Sequence, residues 1–164
     1  LRGEDPVRSE IELGVGWQDP AVIRETGLCV WKSGPQPRLD LKRDGELLQG
    51  RLALFDTGVQ HDTPALADRP RDFDRIAEAG AVAREAVLHE DLALLARAVR
   101  LSMSVQQGEG MEPLPDVPGM LAAKFCGGGF GGYAVYLFPD RIARDAAVAA
   151  SAPELTVVEP FHAD

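Results

Sequence analysis

The stretch "KFCGGGFGGYAVYLF", residues 124–138, decides how the rest of this sequence is interpreted. Five of the six residues from Gly127 to Gly132 are glycine, and an alternating aromatic and aliphatic run follows at once. Glycine loses more conformational entropy on ordering than any other residue. Such a cluster therefore indicates either tight backbone packing or a backbone that lies close to a ligand. The alternating run predicts a strand directly after it.

The spacing of Gly127, Gly129 and Gly132 also satisfies G-x-G-x-x-G, the fingerprint of dinucleotide-binding loops. That motif must open a helix whose N-terminus faces a pyrophosphate, and here a strand pattern follows. A protein-kinase glycine loop does lie between strands, but the V-A-I-K and H-R-D signatures of that class are absent downstream. What remains is a glycine loop between two strands. It is either a structural crossing or a place where backbone N–H groups approach a ligand or its phosphates.

Composition bounds the class of protein. The chain has 164 residues with 45% hydrophobic content, which suffices for the core of one domain. Its 26 acidic residues outnumber 17 basic ones and give a formal charge of -9. We therefore expect no nucleic-acid partner, because a basic face supplies most of that affinity.

The compartment is predicted from three features. Cys29 and Cys126 lie far apart, which favours a reduced compartment and argues against a structural zinc site. No stretch reaches the roughly 20 apolar residues of a membrane span. The N-terminus "LRGEDPVRSE" is too charged for a signal peptide and lacks an initiator Met. We expect a cytoplasmic chain with no membrane partner, either processed or part of something longer.

The N-terminal half predicts strands first. Short β-prone runs bounded by Gly, Pro and Asp predict strands within residues 27–34, 37–43 and 50–58. Asp44-Gly45, between the second and third runs, predicts a hairpin turn.

A helical period then takes over. It predicts two amphipathic helices, the second with Asp91 as its N-cap. Their apolar positions are Phe73, Ile76, Gly80, Ala83 and Val87, and then Leu92, Leu95, Val99 and Met103. A strand at 133–138, a helix at 140–151 and a strand at 155–161 follow the glycine cluster. This order predicts an α+β layer, with helices on one face of a mainly antiparallel sheet.

The segment "AAKFCGGGFGGYAVYLF", residues 122–138, resembles the C-terminal glycine motif of the GHMP superfamily of small-molecule kinases, which includes galactokinase. "GVGWQDP", residues 14–20, is similar to the segment that carries the catalytic aspartate in the sugar-directed members, closest to L-fucose kinase and heptose-phosphate kinase. "LALFDTG", residues 52–58, resembles the family's strand that ends in Thr-Gly. The three segments agree with the family in order and approximate spacing. The resemblance extends from about residue 13 to residue 161.

The resemblance implies a division of the chain. Residues 1–45 would be the end of the N-terminal kinase domain, with the catalytic segment, and residues 46–164 the C-terminal domain with its ferredoxin-like layer. The family's Gly-Leu-Gly-Ser-Ser phosphate loop, its metal-coordinating serine and its acidic magnesium ligand are absent from these residues. Relatives commonly have Gln at Pro20 and a Gly-Gly at Thr26-Gly27. The resemblance thus implies an N-terminal kinase half in the same or a separate chain.

The same resemblance implies roles for individual residues. Asp19 would be the base or positioning carboxylate for the acceptor hydroxyl. The implied substrate-binding residues are Trp17, Gln18, Thr57, Gly58, Gly128, Gly129, Phe130 and Gly131, and the implied nucleotide-binding residues are Gly127 and Gly132. ATP and Mg²⁺ are the implied cofactors, with the metal ligands outside this chain.

Individual residues also have simpler interpretations. Asp19, which precedes Pro20, is equally typical of a turn or an N-cap. Lys124 is interpreted as a solvated lysine on a strand, His61 as an exposed loop histidine, and Cys126 as a small core residue.

The sequence supports three hypotheses. The first is the C-terminal part of an ATP-dependent sugar kinase, inactive without the phosphate-loop half. The second is a non-catalytic sugar-binding or regulatory module with the same fold, which agrees with Pro20 and the missing phosphate loop. The third is an unrelated ferredoxin-like domain whose glycines are structural and which binds no ligand.

Overall fold

The computed structural model describes residues 12, 17, 21, 24–34, 36–60, 70–151 and 154–160. Gln18, Asp19 and His61 therefore lie outside the described residues. The elements, in chain order, are β1 (Leu28–Lys32), β2 (Arg38–Arg43), β3 (Leu52–Asp56), α1 (Phe73–His89), α2 (Leu92–Gly108), β4 (Ala122–Phe125), β5 (Tyr133–Leu137), α3 (Arg141–Ser151) and β6 (Leu155–Val158).

Four strands form the main sheet in the order β4-β5-β3-β6, and every neighbouring pair is antiparallel. Ala53 of β3 lies opposite Tyr136 of β5, which lies opposite Ala123 of β4. The two alanines leave room for the large Tyr136 ring on this face, and that ring is fully buried in a core cluster with Met111, Val117 and Ala147. The predicted α+β class with a mainly antiparallel sheet is confirmed.

The predicted hairpin at Asp44-Gly45 is wrong, because β2 and β3 belong to different sheets. β2 pairs with β1 in a separate two-stranded sheet. Asp44 instead accepts a hydrogen bond from the Glu46 N–H (3.2 Å), at the start of a 3-10 turn over Glu46–Leu48. Asp44-Gly45 thus does form a turn, as its sequence favours. The turn begins a short 3-10 helix that connects the two sheets.

Aspartates start both long helices, as their side chains can accept a first-turn N–H. Asp72 accepts from the Arg75 N–H (3.0 Å) and Asp91 from the Leu94 N–H (2.9 Å), so the predicted cap at Asp91 is confirmed. Glu90, with φ of 53°, ends α1. None of the described helices is long and apolar enough to cross a membrane.

α3 and the first half of α2 pack against opposite faces of the main sheet. Ala147 of α3 joins the core cluster of Ala53 and Tyr136. Residues from the first half of α2 pack instead against Ala122 and Leu137, which pair with each other on the opposite face. The second half of α2 runs beside β4, the edge strand that precedes the glycine loop.

Candidate glycine-loop site

The glycine loop connects β4 to β5, as the sequence predicted. Its backbone has positive φ at five positions: Gly127 (54°), Gly129 (75°), Phe130 (59°), Gly131 (136°) and Gly132 (67°). Residues with a Cβ atom adopt this region at a cost of roughly 1–2 kcal/mol each. The glycine content is therefore required by the path of the chain.

Packing constrains two of the glycines as well. A Cβ atom at Gly131 would lie 2.6 Å from the Val59 carbonyl oxygen, which is backbone and cannot easily move aside. A Cβ atom at Gly129 would overlap the end of the Met111 side chain, which is flexible and would have to shift. At these two positions the glycines allow close packing of the chain, which is one of the two interpretations that the sequence left open.

The start of the loop differs, because it is open. A Cβ atom at Gly127 would meet no atom within 4 Å. Among the described residues, the N–H groups of Gly127 and Gly128 have no hydrogen-bond partner, whereas the Gly129 N–H donates to the Cys126 carbonyl (3.2 Å). Two adjacent N–H groups without a partner in the described part of the chain, one of them on open backbone, suit an anionic or hydroxyl oxygen. The part of the loop that fits a ligand is thus its first two residues.

The end of the loop is clamped to the segment that follows β3. Thr57 donates twice to the Gly132 carbonyl, from its N–H (3.0 Å) and from Oγ1 (2.7 Å). The Gly132 N–H donates to the Val59 carbonyl (2.8 Å). The structure therefore brings Thr57 and Gly58 to the glycine loop. Because the single Thr57 hydroxyl proton is already used, Thr57 positions the loop.

Phe130 lies between the open and clamped parts of the loop. Its side chain is partly buried and packs against the core cluster that contains Phe125 and Tyr136. This packing anchors the loop to the sheet. The Phe130 ring therefore helps to fix the conformation of the loop from its core-facing side.

Trp17 packs on β1. Its ring centroid lies 5.8 Å from that of Trp31, with the planes tilted by 58°, a common geometry for aromatic pairs. The predicted neighbours Gln18 and Asp19 lie outside the described residues. A shared site of Trp17, Asp19 and the glycine loop stays a prediction.

The interpretation of Lys124 as a solvated lysine is wrong. The residue is half-buried, and its Nζ folds back to donate to the Phe125 carbonyl (2.8 Å). Burial lowers the pKa of the Lys124 ammonium. The Lys124 ammonium therefore hydrogen-bonds the last residue of β4, directly before the glycine loop.

Cys126 begins the turn into the glycine loop and is a half-buried free thiol. Burial raises its pKa. The thiol stays protonated at neutral pH, and the thiolate is the form that acts as a nucleophile. This environment agrees with a packing role for Cys126.

In the described ranges, no group of three or more His, Cys, Asp or Glu side chains could hold a metal ion, so these residues offer no ligand set for Mg²⁺. The Gly127 and Gly128 N–H groups are suited to donate to a phosphate oxygen, such as one of ATP.

Sequence reasoning missed Gln106, which supports the loop from below. Its Oε1 accepts from the Phe125 N–H (3.1 Å) and its Nε2 donates to the Phe125 carbonyl (3.2 Å). The signal was present, since Gln106 continues the apolar stripe of Leu95, Val99 and Met103. A buried amide on that stripe indicates a hydrogen-bonded partner.

Comparisons with known proteins bear on the fold. No protein-family model matches the chain, and no curated protein matches it. Two kinases are among the solved structures that share its fold. The mevalonate kinase of L. major in complex with R-mevalonate has a TM-score of 0.57 and 21% identity, over 84% of this chain and 50% of that one.

The second is a D-glycero-D-manno-heptose 1-phosphate kinase from Bacteroides thetaiotaomicron, with a TM-score of 0.57 and 14% identity, over 92% of this chain and 49% of that one. Both are GHMP-superfamily kinases. The chain spans about half the length of each. It therefore has the fold of part of a GHMP-superfamily small-molecule kinase, as the sequence resemblance implied.

Proposed function

We propose that this chain is the C-terminal part of an ATP-dependent kinase that phosphorylates a sugar hydroxyl, with a fucose-like or heptose-phosphate-like acceptor. One observation carries the proposal. In a GHMP-type fold, the glycine loop is clamped at Gly132 by Thr57 and is open at Gly127, and the Gly127 and Gly128 N–H groups have no hydrogen-bond partner among the described residues. Because the end of the loop is fixed by hydrogen bonds, the N–H groups at its start are held in place before a ligand binds.

Phosphoryl transfer depends mainly on positioning the reactants and offsetting charge. In this proposal Asp19 accepts the proton of the acceptor hydroxyl, and Trp17 and Gln18 orient the sugar. The Gly127 and Gly128 N–H groups donate to ligand oxygens at the floor of the site. ATP with Mg²⁺ supplies the phosphoryl group when bound. The phosphate loop and the metal ligands come from an N-terminal kinase half in the same or a separate chain.

The setting of the proposed enzyme is the cytoplasm. The net charge of -9 disfavours nucleic acid as a partner. Cys29 and Cys126 are both free thiols, which suits a reducing compartment.

The test is phosphorylation of sugars by the complete protein that carries this sequence, assayed with ATP and magnesium. We expect turnover by the complete protein and none by residues 1–164 alone, because the isolated chain lacks the phosphate-cradling loop that supplies much of the rate enhancement. Robust turnover by residues 1–164 alone would overturn the proposed division of the site.

A non-catalytic sugar-binding or regulatory module is the second candidate, favoured by Pro20, where relatives that the sequence resembles commonly have Gln. Calorimetry separates the two candidates. A binding module takes up sugar without ATP turnover in any reconstitution, whereas the proposed kinase couples sugar binding to ATP consumption.

A further inference from the structure

Tyr133 is a large aromatic residue that the fold leaves exposed beside the glycine loop. It directly follows Gly132 and begins β5, and 53% of its surface is exposed. Ala134 and Tyr136, which alternate with it along the strand, are fully buried on the other face of the sheet. The Tyr133 ring therefore lies on the face opposite the core cluster of Tyr136, at the end of the sheet that meets the loop.

Backbone hydrogen bonds place Tyr133 across from the open start of the loop. The Cys126 N–H donates to the Tyr133 carbonyl (2.8 Å), which extends the β4–β5 ladder by one pair beyond the end of β4. Gly127 is the next residue, and a Cβ atom there would meet no atom within 4 Å. The Tyr133 ring and the Gly127 and Gly128 N–H groups therefore lie at the same end of the sheet.

An acidic side chain accompanies the ring. Asp56, the last residue of β3, is exposed and lies opposite Tyr133. Its N–H donates to the Glu154 carbonyl (3.2 Å), on the side away from β5, so Asp56 and Tyr133 form a non-hydrogen-bonded pair. The side chains of such a pair point to one face and approach each other more closely than those of a hydrogen-bonded pair. The carboxylate and the ring therefore share one surface.

The chemistry of this surface indicates the class of ligand. Asp56 Oδ1 accepts from the Gly58 N–H (2.9 Å), which orients the carboxylate, and a carboxylate has about four acceptor sites in total. The exposed group can therefore still accept from a hydroxyl, whereas it repels the oxygens of a phosphate. Carbon-bound hydrogens of a sugar ring can pack on the neighbouring aromatic face. An aromatic face beside a carboxylate thus suits a neutral, polyhydroxylated ring.

We propose that Tyr133 and Asp56 form a binding platform for a neutral sugar, with the sugar ring packed on Tyr133 and one of its hydroxyl groups donating to Asp56. The inference rests on the proposed function in taking this sugar to be the acceptor, held beside the Gly127 and Gly128 N–H groups. It adds two binding residues on β3 and β5, outside the glycine loop and the segment 17–19.

The test is calorimetry on the complete protein with L-fucose, D-galactose and D-mannose. At least one of these sugars should bind, and Tyr133→Ala should weaken that binding about tenfold or more, because it removes the packing surface. Tyr133→Phe keeps the ring and should stay within about twofold of the parent. Ile142→Ala is the matched control and should change nothing, because Ile142 is 82% exposed on α3, which packs against the other face of the sheet.

Asp56→Asn tests the second half of the platform. It keeps the size of the side chain and an oxygen for the Gly58 N–H, but it removes the charge. Binding of the same sugar should weaken about threefold or more, since hydrogen bonds to a charged acceptor are the stronger kind. Glu78→Gln, at an exposed position on α1, is its control. Thermal unfolding of each variant checks that the fold is kept.

Three results would overturn the inference. The first is equal sugar affinity in the Tyr133→Ala and Ile142→Ala variants, and the second is no binding of any of the three sugars. The third is a loss of ATP affinity in Tyr133→Ala with sugar affinity unchanged, because the ring would then hold the nucleotide.

Steady-state kinetics separate this inference from the proposed function. If the protein is a kinase, Tyr133→Ala should raise the KM for the sugar and leave kcat within about twofold, as expected for lost uniform binding. Turnover with an unchanged KM would overturn the platform and leave the kinase standing. Sugar binding that depends on Tyr133 without any turnover would support the platform and overturn the kinase.

Discussion

At the scale of single residues, the glycines of one loop do different things. Gly129 and Gly131 are fixed by contacts with Met111 and the Val59 carbonyl, whereas Gly127 faces open space. The sequence could predict that the cluster needs positive φ or close approach, since glycine alone meets both needs. It could not separate the packed glycines from the open one, because Met111 and Val59 are brought there by elements distant in the chain.

Gly129→Ala should therefore destabilise the protein more than Gly127→Ala. Both variants place a Cβ at positive φ, for roughly 1 kcal/mol each, but only the first also displaces the end of the buried Met111 side chain, whose flexibility keeps the additional cost small. Urea unfolding measures both free energies. Equal losses in the two variants would show that the Met111 contact does not constrain the loop.

At the scale of elements, local patterns predicted which elements form, and tertiary contacts decided their partners. The period of α2 and the cap at Asp91 are local features and were predicted correctly. The turn at Asp44-Gly45 was also local, but whether β2 pairs with β1 or β3 depends on which sheet buries more apolar surface. Gln106 shows the same limit, because its partner Phe125 lies 19 residues away.

Gln106→Ala should cost roughly 2–3 kcal/mol, since it leaves both the N–H and the carbonyl of Phe125 with fewer partners in a buried place. The adjacent Gln107→Ala is the control, because Gln107 is exposed on the same helix. Hydrogen exchange of the Phe125 amide, together with urea unfolding, measures the effect. Unchanged protection of that amide would contradict the role of Gln106 as an edge cap.

At the scale of the whole molecule, one ionic cluster joins three distant segments. Glu159, after β6, accepts from Arg144 of α3 and from the Gly50 N–H (2.7 Å). Arg144 is 2% exposed, so its charge depends on this carboxylate and on Asp145. The sequence resemblance predicted that these segments share one domain. It could not predict the cluster, because surface and buried arginines look alike in a sequence.

The cluster predicts a dependence of stability on pH. The hydrogen bond from Arg144, and then that from Gly50, lowers the pKa of Glu159 below its ordinary 4.5. A lowered folded-state pKa stabilises the protein above the unfolded value, and this contribution is lost as pH falls through the folded value. Glu159→Gln should therefore lower Tm by a few degrees at pH 7, with the difference fading below about pH 4.5.

Thermal unfolding from pH 7 to pH 3 measures that difference, with the exposed Glu154→Gln as control. A Tm difference for Glu159→Gln that stays constant across this range would show that the carboxylate charge is not what joins the three segments.

We propose that Asp19 and the open start of the glycine loop belong to one phosphoryl-transfer site. The most direct measurement is sugar phosphorylation by the complete protein and by its Asp19→Asn variant, with sugar binding measured on both by calorimetry. We expect Asp19→Asn to lower turnover by about 10²-fold or more and to leave sugar affinity largely intact, the result expected when a positioned base is lost. An Asp19→Asn variant as fast as its parent would contradict it.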